Sequence, residues 1–348
     1  MKCPTGSWHG IAAIGAGAVI AAVFASAADA RLVYERGFRT SHPTIWLARD
    51  DGRGAHRLAF GSSPKISSDG RLVAYAGGQG LMLVSAAGGR ARLLLRGTLA
   101  PIGWSPDRKR IAAVEQTPTT RTNPGSETFV TIDVASGRVY QIAPAGVPEL
   151  WAMSFSPDGS QLAYTRMASA NPSRDDIYRA PATGGRSVRL THDGQSMWPV
   201  WGPSWMVFIR QSAPSPRDHI PKQNLYLVKS SGASLHRLTN VTIGDQMFGF
   251  TPIAWSANGR RLIAEFNGVG TDYVVTVDPR TGAVHRVGKP TGGTAGHGVS
   301  GTALSHDGAA ILGVQDAITA IPSVVTLPYQ GGRPRVLARN AISPSWSR

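Results

Sequence analysis

Cysteine is all but missing from this chain. Its 348 residues include one, Cys3. Downstream of it, a disulfide framework, a cysteine-ligated zinc site and a cysteine nucleophile are all excluded. Acid is scarce too: 21 Asp and Glu stand against 36 Lys and Arg, a formal net charge of +15. The excess is dispersed, with no run of five like charges. It reads either as Arg decorating exposed strands or as attraction for an anionic partner: a cell-wall polymer, an acidic polysaccharide or a lipid surface. Signatures of chemistry are also missing. No Gly-x-Ser-x-Gly elbow and no His-Glu-x-x-His pair occurs, which removes the hydrolase arrangements those motifs serve. The Gly292-Gly293-Thr294-Ala295-Gly296 stretch is not a phosphate cradle, because no helical pattern follows it. Helical periodicity is itself lacking beyond the first thirty residues, so a helical fold is excluded.

Those first thirty residues form a unit. Lys2 gives a basic start, Ile11–Ala27 is apolar and rich in Ala and Gly, and Ala28-Asp29-Ala30 ends in small residues. This order predicts a signal peptide over 1–30, cleaved after Ala30 or after Ala27. The apolar run of 17 residues falls short of the roughly 20 that a spanning helix needs. An uncleaved membrane anchor is the alternative, and membrane contact is expected only in that case. Cys3 precedes the apolar run, so it is not placed as a lipid acceptor. The expected location is secreted, periplasmic or associated with the cell envelope. Nucleic acid is not an expected partner there.

The rest of the chain, 31–348, repeats itself, and the repeat points to the architecture. The phrase Phe155-Ser156-Pro157-Asp158-Gly159 has copies at Ile66-Ser67-Ser68-Asp69-Gly70, Trp104-Ser105-Pro106-Asp107, Trp255-Ser256-Ala257-Asn258-Gly259 and Leu304-Ser305-His306-Asp307-Gly308. Trp201-Gly202-Pro203 is a degraded copy, and Ser345-Trp346-Ser347 is the last. The spacing, about 40 to 55 residues, lies in the range of propeller blades. Each copy leads into an apolar strand such as Leu162–Thr165 and a second such as Ile177–Ala180. A Gly turn and a short strand like Val188-Arg189-Leu190-Thr191 complete the unit. Short runs rich in β-branched and aromatic residues, bounded by Gly, Pro, Asp and Ser, are strands.

Four strands per unit predict an all-β, seven-bladed β-propeller in a single domain. The segment Arg31–Phe60 supplies three strands with no phrase before them, and Ile342–Arg348 supplies a first strand with no sequel. Joined, they make one blade and close the ring. Within the phrase, Pro sets the turn, Asp or Asn bonds to backbone and Gly takes the positive φ. The aromatic before it (Trp104, Phe155, Trp201, Trp255, Trp346) is expected to pack between blades.

The phrase, its apolar sequel, the Gly-Gly turn and the closing Arg-Leu-Thr resemble the TolB-type propeller repeats, a WD40-like family, over nearly all of 31–348. The resemblance implies a propeller, with a six-bladed TolB-like ring as the alternative to seven. It implies no single activity, since the family includes periplasmic binding proteins and the propeller gates of prolyl oligopeptidase-like peptidases.

Strand order puts the phrase turn and the Gly turn on one face and the more varied loops on the other. Binding residues concentrate on such loops. Candidates around the central channel are Glu149, Trp151, Gln195, Trp198, Asp245, Gln246, Phe248 and His297. Farther out are Arg121, Arg174, Arg217 and His219. Aromatics that stack and amides and acids that hydrogen-bond suit a protein, peptide or glycan, and the basic excess allows an anionic one. The expected function is an exported, non-catalytic binding scaffold without cofactor or metal. One alternative is a polysaccharide lyase or hydrolase using carboxylates such as Glu149 and Asp245. Another is a propeller that partners a separately encoded peptidase or envelope complex.

Overall fold

The computed structural model describes residues 30–117, 126–143, 153–167, 175–212, 221–241, 247–268, 271–287, 298–316 and 321–347. Over these the chain is a β-propeller of four-stranded antiparallel blades. The first blade holds β1 (Arg31–Arg36), β2 (Thr44–Arg49) and β3 (His56–Phe60), and β28 (Ile342–Trp346) pairs with β1 as its inner strand. Then come β4 (Ser62–Ile66), β5 (Leu72–Gly77), β6 (Gly80–Ser85) and β7 (Arg92–Arg96), followed by β8 (Thr98–Trp104), β9 (Arg110–Thr117), β10 (Ser126–Asp133) and β11 (Val139–Gln141). The next sheet is β12 (Met153–Phe155), β13 (Gln161–Met167), β14 (Asp175–Pro181) and β15 (Val188–Arg189).

An eight-stranded sheet follows. Its first run is β16 (Ser196–Trp201), β17 (Met206–Gln211), β18 (Gln223–Val228) and β19 (His236–Arg237). Its second is β20 (Met247–Trp255), β21 (Leu262–Gly268), β22 (Thr271–Val277) and β23 (Val284–Arg286). A single parallel bridge, Gln223↔Gly249, joins the two runs. Gly249 allows that approach: a Cβ there would sit 2.0 Å from the Gln223 carbonyl oxygen. The last sheet is β24 (Gly298–Leu304), β25 (Ala310–Asp316), β26 (Ser323–Pro328) and β27 (Arg335–Arg339).

Closure is as the sequence predicts. Leu32 pairs with Trp346, the Arg31 N–H donates to Ser347 Oγ at 2.9 Å, and the Ser347 N–H returns to the Arg31 carbonyl at 2.9 Å. Apolar side chains from neighbouring blades form the core in the seams between them. One seam joins Ala112 and Phe129 to Leu162 and Tyr164; another joins Ile263 and Val274 to Ile311 and Val325. Neighbouring inner strands are also stitched together. The indole N–H of Trp104 donates to the Lys65 carbonyl at 2.8 Å, that of Trp255 to Val200 at 3.2 Å and that of Trp346 to Leu304 at 3.2 Å. The phrase aromatic therefore both packs a seam and satisfies a backbone acceptor that a blade edge would otherwise leave open.

The phrase makes a turn in which its serine is as important as its aspartate. Asp158 Oδ1 accepts from the Ser160 N–H at 3.0 Å, and Ser156 Oγ donates to the same oxygen while accepting the Gln161 N–H at 3.0 Å. The same pattern recurs around Ser67, Ser105, Ser256 and Ser305. These bonds hold the Asp158 and Asp307 carboxyls below their ordinary range, because the donors favour the ionised form; at Asp69 burial pushes up, and the same bonds with the Arg108 and Arg71 charges bring the carboxyl down. At Trp201-Gly202-Pro203 the turn is shorter: Trp201 pairs with Met206, and the Gly202 N–H closes on the Trp205 carbonyl.

Phrase turns and Gly turns lie on one face, called here the turn face. Strand polarity puts the remaining connections on the opposite, loop face. That face is not uniformly long-looped, since Gly78 and Gln79 alone link β5 to β6.

Candidate functional site

Inner strands shape the loop-face mouth. Proline recurs on them at Pro64, Pro101, Pro199, Pro252 and Pro344. An inner strand is a blade edge, so its missing N–H breaks no ladder. Register shifts accompany these prolines, between Ser62 and Lys65, Pro101 and Gly103, Met197 and Val200, and Pro252 and Ala254. In three strands the residue before proline takes a left-handed backbone: Ser63 at φ 53°, Trp198 at 58° and Ser343 at 50°. Proline disfavours helical geometry in its predecessor, and a strained non-glycine position costs about 1–3 kcal/mol.

The preceding blade holds two of these residues in place. The Trp198 N–H donates to Thr165 Oγ1 at 2.9 Å, and the Ser63 N–H donates to Glu35 Oε2 at 2.9 Å. Thr165 and Glu35 occupy one register position, three residues after the partner of a phrase aromatic (Leu162 opposite Phe155, Leu32 opposite Trp346). Glu265, three after Leu262 opposite Trp255, is the third polar residue there, and it accepts the Ser300 hydroxyl proton at 2.9 Å. Burial pushes the Glu35 and Glu265 carboxyls up. The Ser63 N–H and the Ser300 hydroxyl pull back, and the nearby Asp272 charge adds to the rise at Glu265.

Trp198 is half-buried against the core of the eight-stranded sheet. Beside it in sequence, Asp193 gathers the Gln195 N–H at 2.8 Å, the Ser196 hydroxyl at 2.9 Å and the Arg210 guanidinium at 2.5 Å. The Gln195 carbonyl accepts from the Gln211 N–H at 2.9 Å, and its side chain is half-buried. Arg210 also lies 4.7 Å from the Tyr226 ring centroid. Deeper, Asp176 is buried and accepts from Thr191 Oγ1 at 2.8 Å, from the Gly194 N–H at 3.3 Å and from Arg189 at 2.5 Å. Thr191 in turn accepts the Ile177 N–H at 2.9 Å. The same knot recurs with a neutral residue, Asn224, which accepts the Val241 N–H at 2.7 Å beside Thr239. The recurrence marks Asp176 as a structural tie and explains the Thr of the Arg-Leu-Thr strand.

Of the predicted site residues, Gln195 and Trp198 stand together at the start of β16. Phe248 lies on β20, with its side chain outside the described residues. Glu149, Trp151, Asp245, Gln246, His297, Arg121, Arg174, Arg217 and His219 lie outside the described residues. Sequence reasoning missed Glu35, Thr165, Glu265 and Lys65. The first three were findable as the polar exceptions at one repeat position. Lys65, on an inner strand, forms no ion pair with a described residue, and desolvation pushes its amine down. Among the described residues, no group of His, Cys, Asp and Glu is arranged to hold a metal ion.

Neither a family model nor a curated sequence matches the chain. Solved propellers do. TolB from Acinetobacter baumannii is 19% identical with a TM-score of 0.51, over 91% of this chain and 66% of that one. A prolyl endopeptidase is 15% identical with a TM-score of 0.64, over 89% of this chain and 48% of that one. An oligogalacturonate lyase, solved in complex with manganese, is 16% identical with a TM-score of 0.55, over 88% and 83%. The chain thus spans just under two thirds of the TolB chain and about half of the peptidase. At these identities the shared property is the fold: this chain is built as the propellers of TolB, of prolyl endopeptidases and of oligogalacturonate lyase are built.

Proposed function

We propose that the protein is an exported, non-catalytic binding scaffold that holds a protein, peptide or glycan on its loop face. On this reading the eight-stranded sheet counts as two blades and the propeller has seven. Residues 1–30 act as the export signal and direct the chain to the periplasm or cell envelope. The observation that carries the proposal is the Trp198 position. A large aromatic is kept half-exposed in a strained conformation by a buried hydroxyl of the neighbouring blade, next to the Gln195 amide and the Asp193–Arg210 pair. Ser63 and Ser343 share the backbone conformation, so what is particular to this blade is the aromatic set on it, and aromatic stacking beside amide and charged donors fits sugars and peptide side chains. Four described acids of this face, Asp176, Asp193, Glu35 and Glu265, are engaged in holding the fold, which favours binding over acid–base catalysis.

Glycan and peptide arrays probed with the purified protein test this reading. A retained ligand is expected, with Trp198→Ala weakening it by about tenfold or more, as for a central aromatic contact. Loss of ligand turnover in Glu149→Gln/Asp245→Asn/His297→Gln, with binding kept, would replace the scaffold by the lyase or hydrolase.

A further inference from the structure

The positive charge is not spread evenly: it collects on the turn face, away from the proposed ligand site. Every turn between a third and a fourth strand carries an exposed cation: Arg53, Arg90, Arg138, Arg186, Lys229, Arg280 and Arg333. Arg71, Arg108, Lys109 and Arg260 add exposed cations on the phrase turns nearer the axis. Acids occur on this face in smaller number: Asp51 pairs with Arg53 at 3.6 Å and Asp69 with Arg108 at 3.1 Å. Asp51, Asp133 and Asp278 each accept N–H groups of the turn they begin. Arg90, Arg186 and Arg333 form no ion pair with a described residue. On the loop face Arg210 is answered by Asp193, and exposed Arg39, Arg96 and Arg339 stand singly, with no such cation on every connection.

A second feature shares this rim. Six large apolar residues are exposed among those described, and four of them, Val139, Val188, Leu235 and Val336, lie at or beside the start of a fourth strand. That position is the turn-face end, next to the cations. Cations on every such turn, with exposed aliphatics beside four of them, differ from the single track that a polymer chain would follow. They match a plane that meets every blade at once.

We infer that the turn face docks peripherally on a bilayer of anionic phospholipids and leaves the loop face free for its ligand. Each basic residue near such a surface is worth about a fivefold change in partitioning, and the attraction weakens within a Debye length as salt rises. The aliphatics add shallow apolar contact.

The test is co-sedimentation of the full chain with vesicles of phosphatidylcholine alone, or of equimolar phosphatidylcholine and phosphatidylglycerol. Charge-dependent binding is the excess on the anionic vesicles, which separates it from insertion of the N-terminal segment. Arg90→Gln/Arg186→Gln/Arg333→Gln should lower this excess by about a hundredfold. The loop-face control Arg39→Gln/Arg96→Gln/Arg339→Gln, with the same net charge, should stay within about threefold. Val188→Ser/Leu235→Ser should weaken vesicle binding and leave binding to dextran sulfate unchanged. No excess at low salt would overturn the inference, as would equal losses from the two triple variants. Vesicle binding insensitive to the aliphatic pair would also overturn it, in favour of a soluble polyanion. None of these results depends on the loop-face ligand.

Discussion

Asp176 and Asn224 offer an internal comparison, because two strands of the same architecture tie the same knot with and without a charge. In Asp176→Ala the buried Thr191 hydroxyl and the Gly194 N–H lose their acceptor. A buried donor left unsatisfied costs about 1–3 kcal/mol. The Arg189 guanidinium, 40% exposed, turns to water, so its lost pairing adds little. The expected loss is therefore about 2–4 kcal/mol. Asp176→Asn keeps an oxygen for one donor and reproduces what Asn224 already does in the next run of strands. It should cost about 1 kcal/mol, mostly the charge-assisted contact. Urea denaturation followed by circular dichroism, with midpoint and slope fitted separately, measures both. If Asn costs as much as Ala, or if Ala costs under about 1 kcal/mol, Asp176 does more or less than tie the backbone and the reasoning fails.

Two further outcomes follow from the same geometry. Burial raises the folded carboxyl of Glu265 above its ordinary value near 4.5, so its stabilising contribution is present at low pH and is lost as pH rises from there through the raised value. Glu265→Gln keeps an acceptor for Ser300 without the charge. Its melting temperature should equal or exceed that of the parent at pH 7, and the gap should close toward pH 4.5; a gap that widens on acidification contradicts the assignment. Among the turn glycines, Gly308 has φ 69° and a Cβ there would lie 2.9 Å from Ser256 Cβ, whereas Gly331 has φ 93° and open space. Alanine at both should cost the left-handed penalty of about 1 kcal/mol, and Gly308→Ala should cost more than Gly331→Ala by thermal melts.

The fold was legible because its punctuation repeats. Strand positions and the splice of Arg31–Phe60 to Ile342–Trp346 follow from aligning the phrase, and even its degraded copy at Trp201 ends an inner strand. The seams were half legible. An aromatic before Ser-Pro-Asp announces packing, but the indole N–H reaching the next blade's carbonyl depends on how the blades sit, which periodicity does not encode. The left-handed Trp198 was not legible at all, since Trp-Pro argues for an extended backbone and tertiary contact with Thr165 overrides it. The charge asymmetry was available in principle. Counting cations along the chain hides it; sorting them by turn reveals it.

The joining of β28 to β1 has a consequence for how the molecule comes into being. Arg31 and Ser347 meet across 316 positions, so completing the ring closes a loop whose entropy costs about 5 kcal/mol. At synthesis rates of about 5–20 residues per second, roughly 15 to 60 s separate the birth of the two strands. Throughout that interval Leu32 and Tyr34 border an unfilled place, and the nascent chain is an open row with a raw first sheet. The pairing that closes the ring is therefore one that translation supplies only after every other sheet has been made.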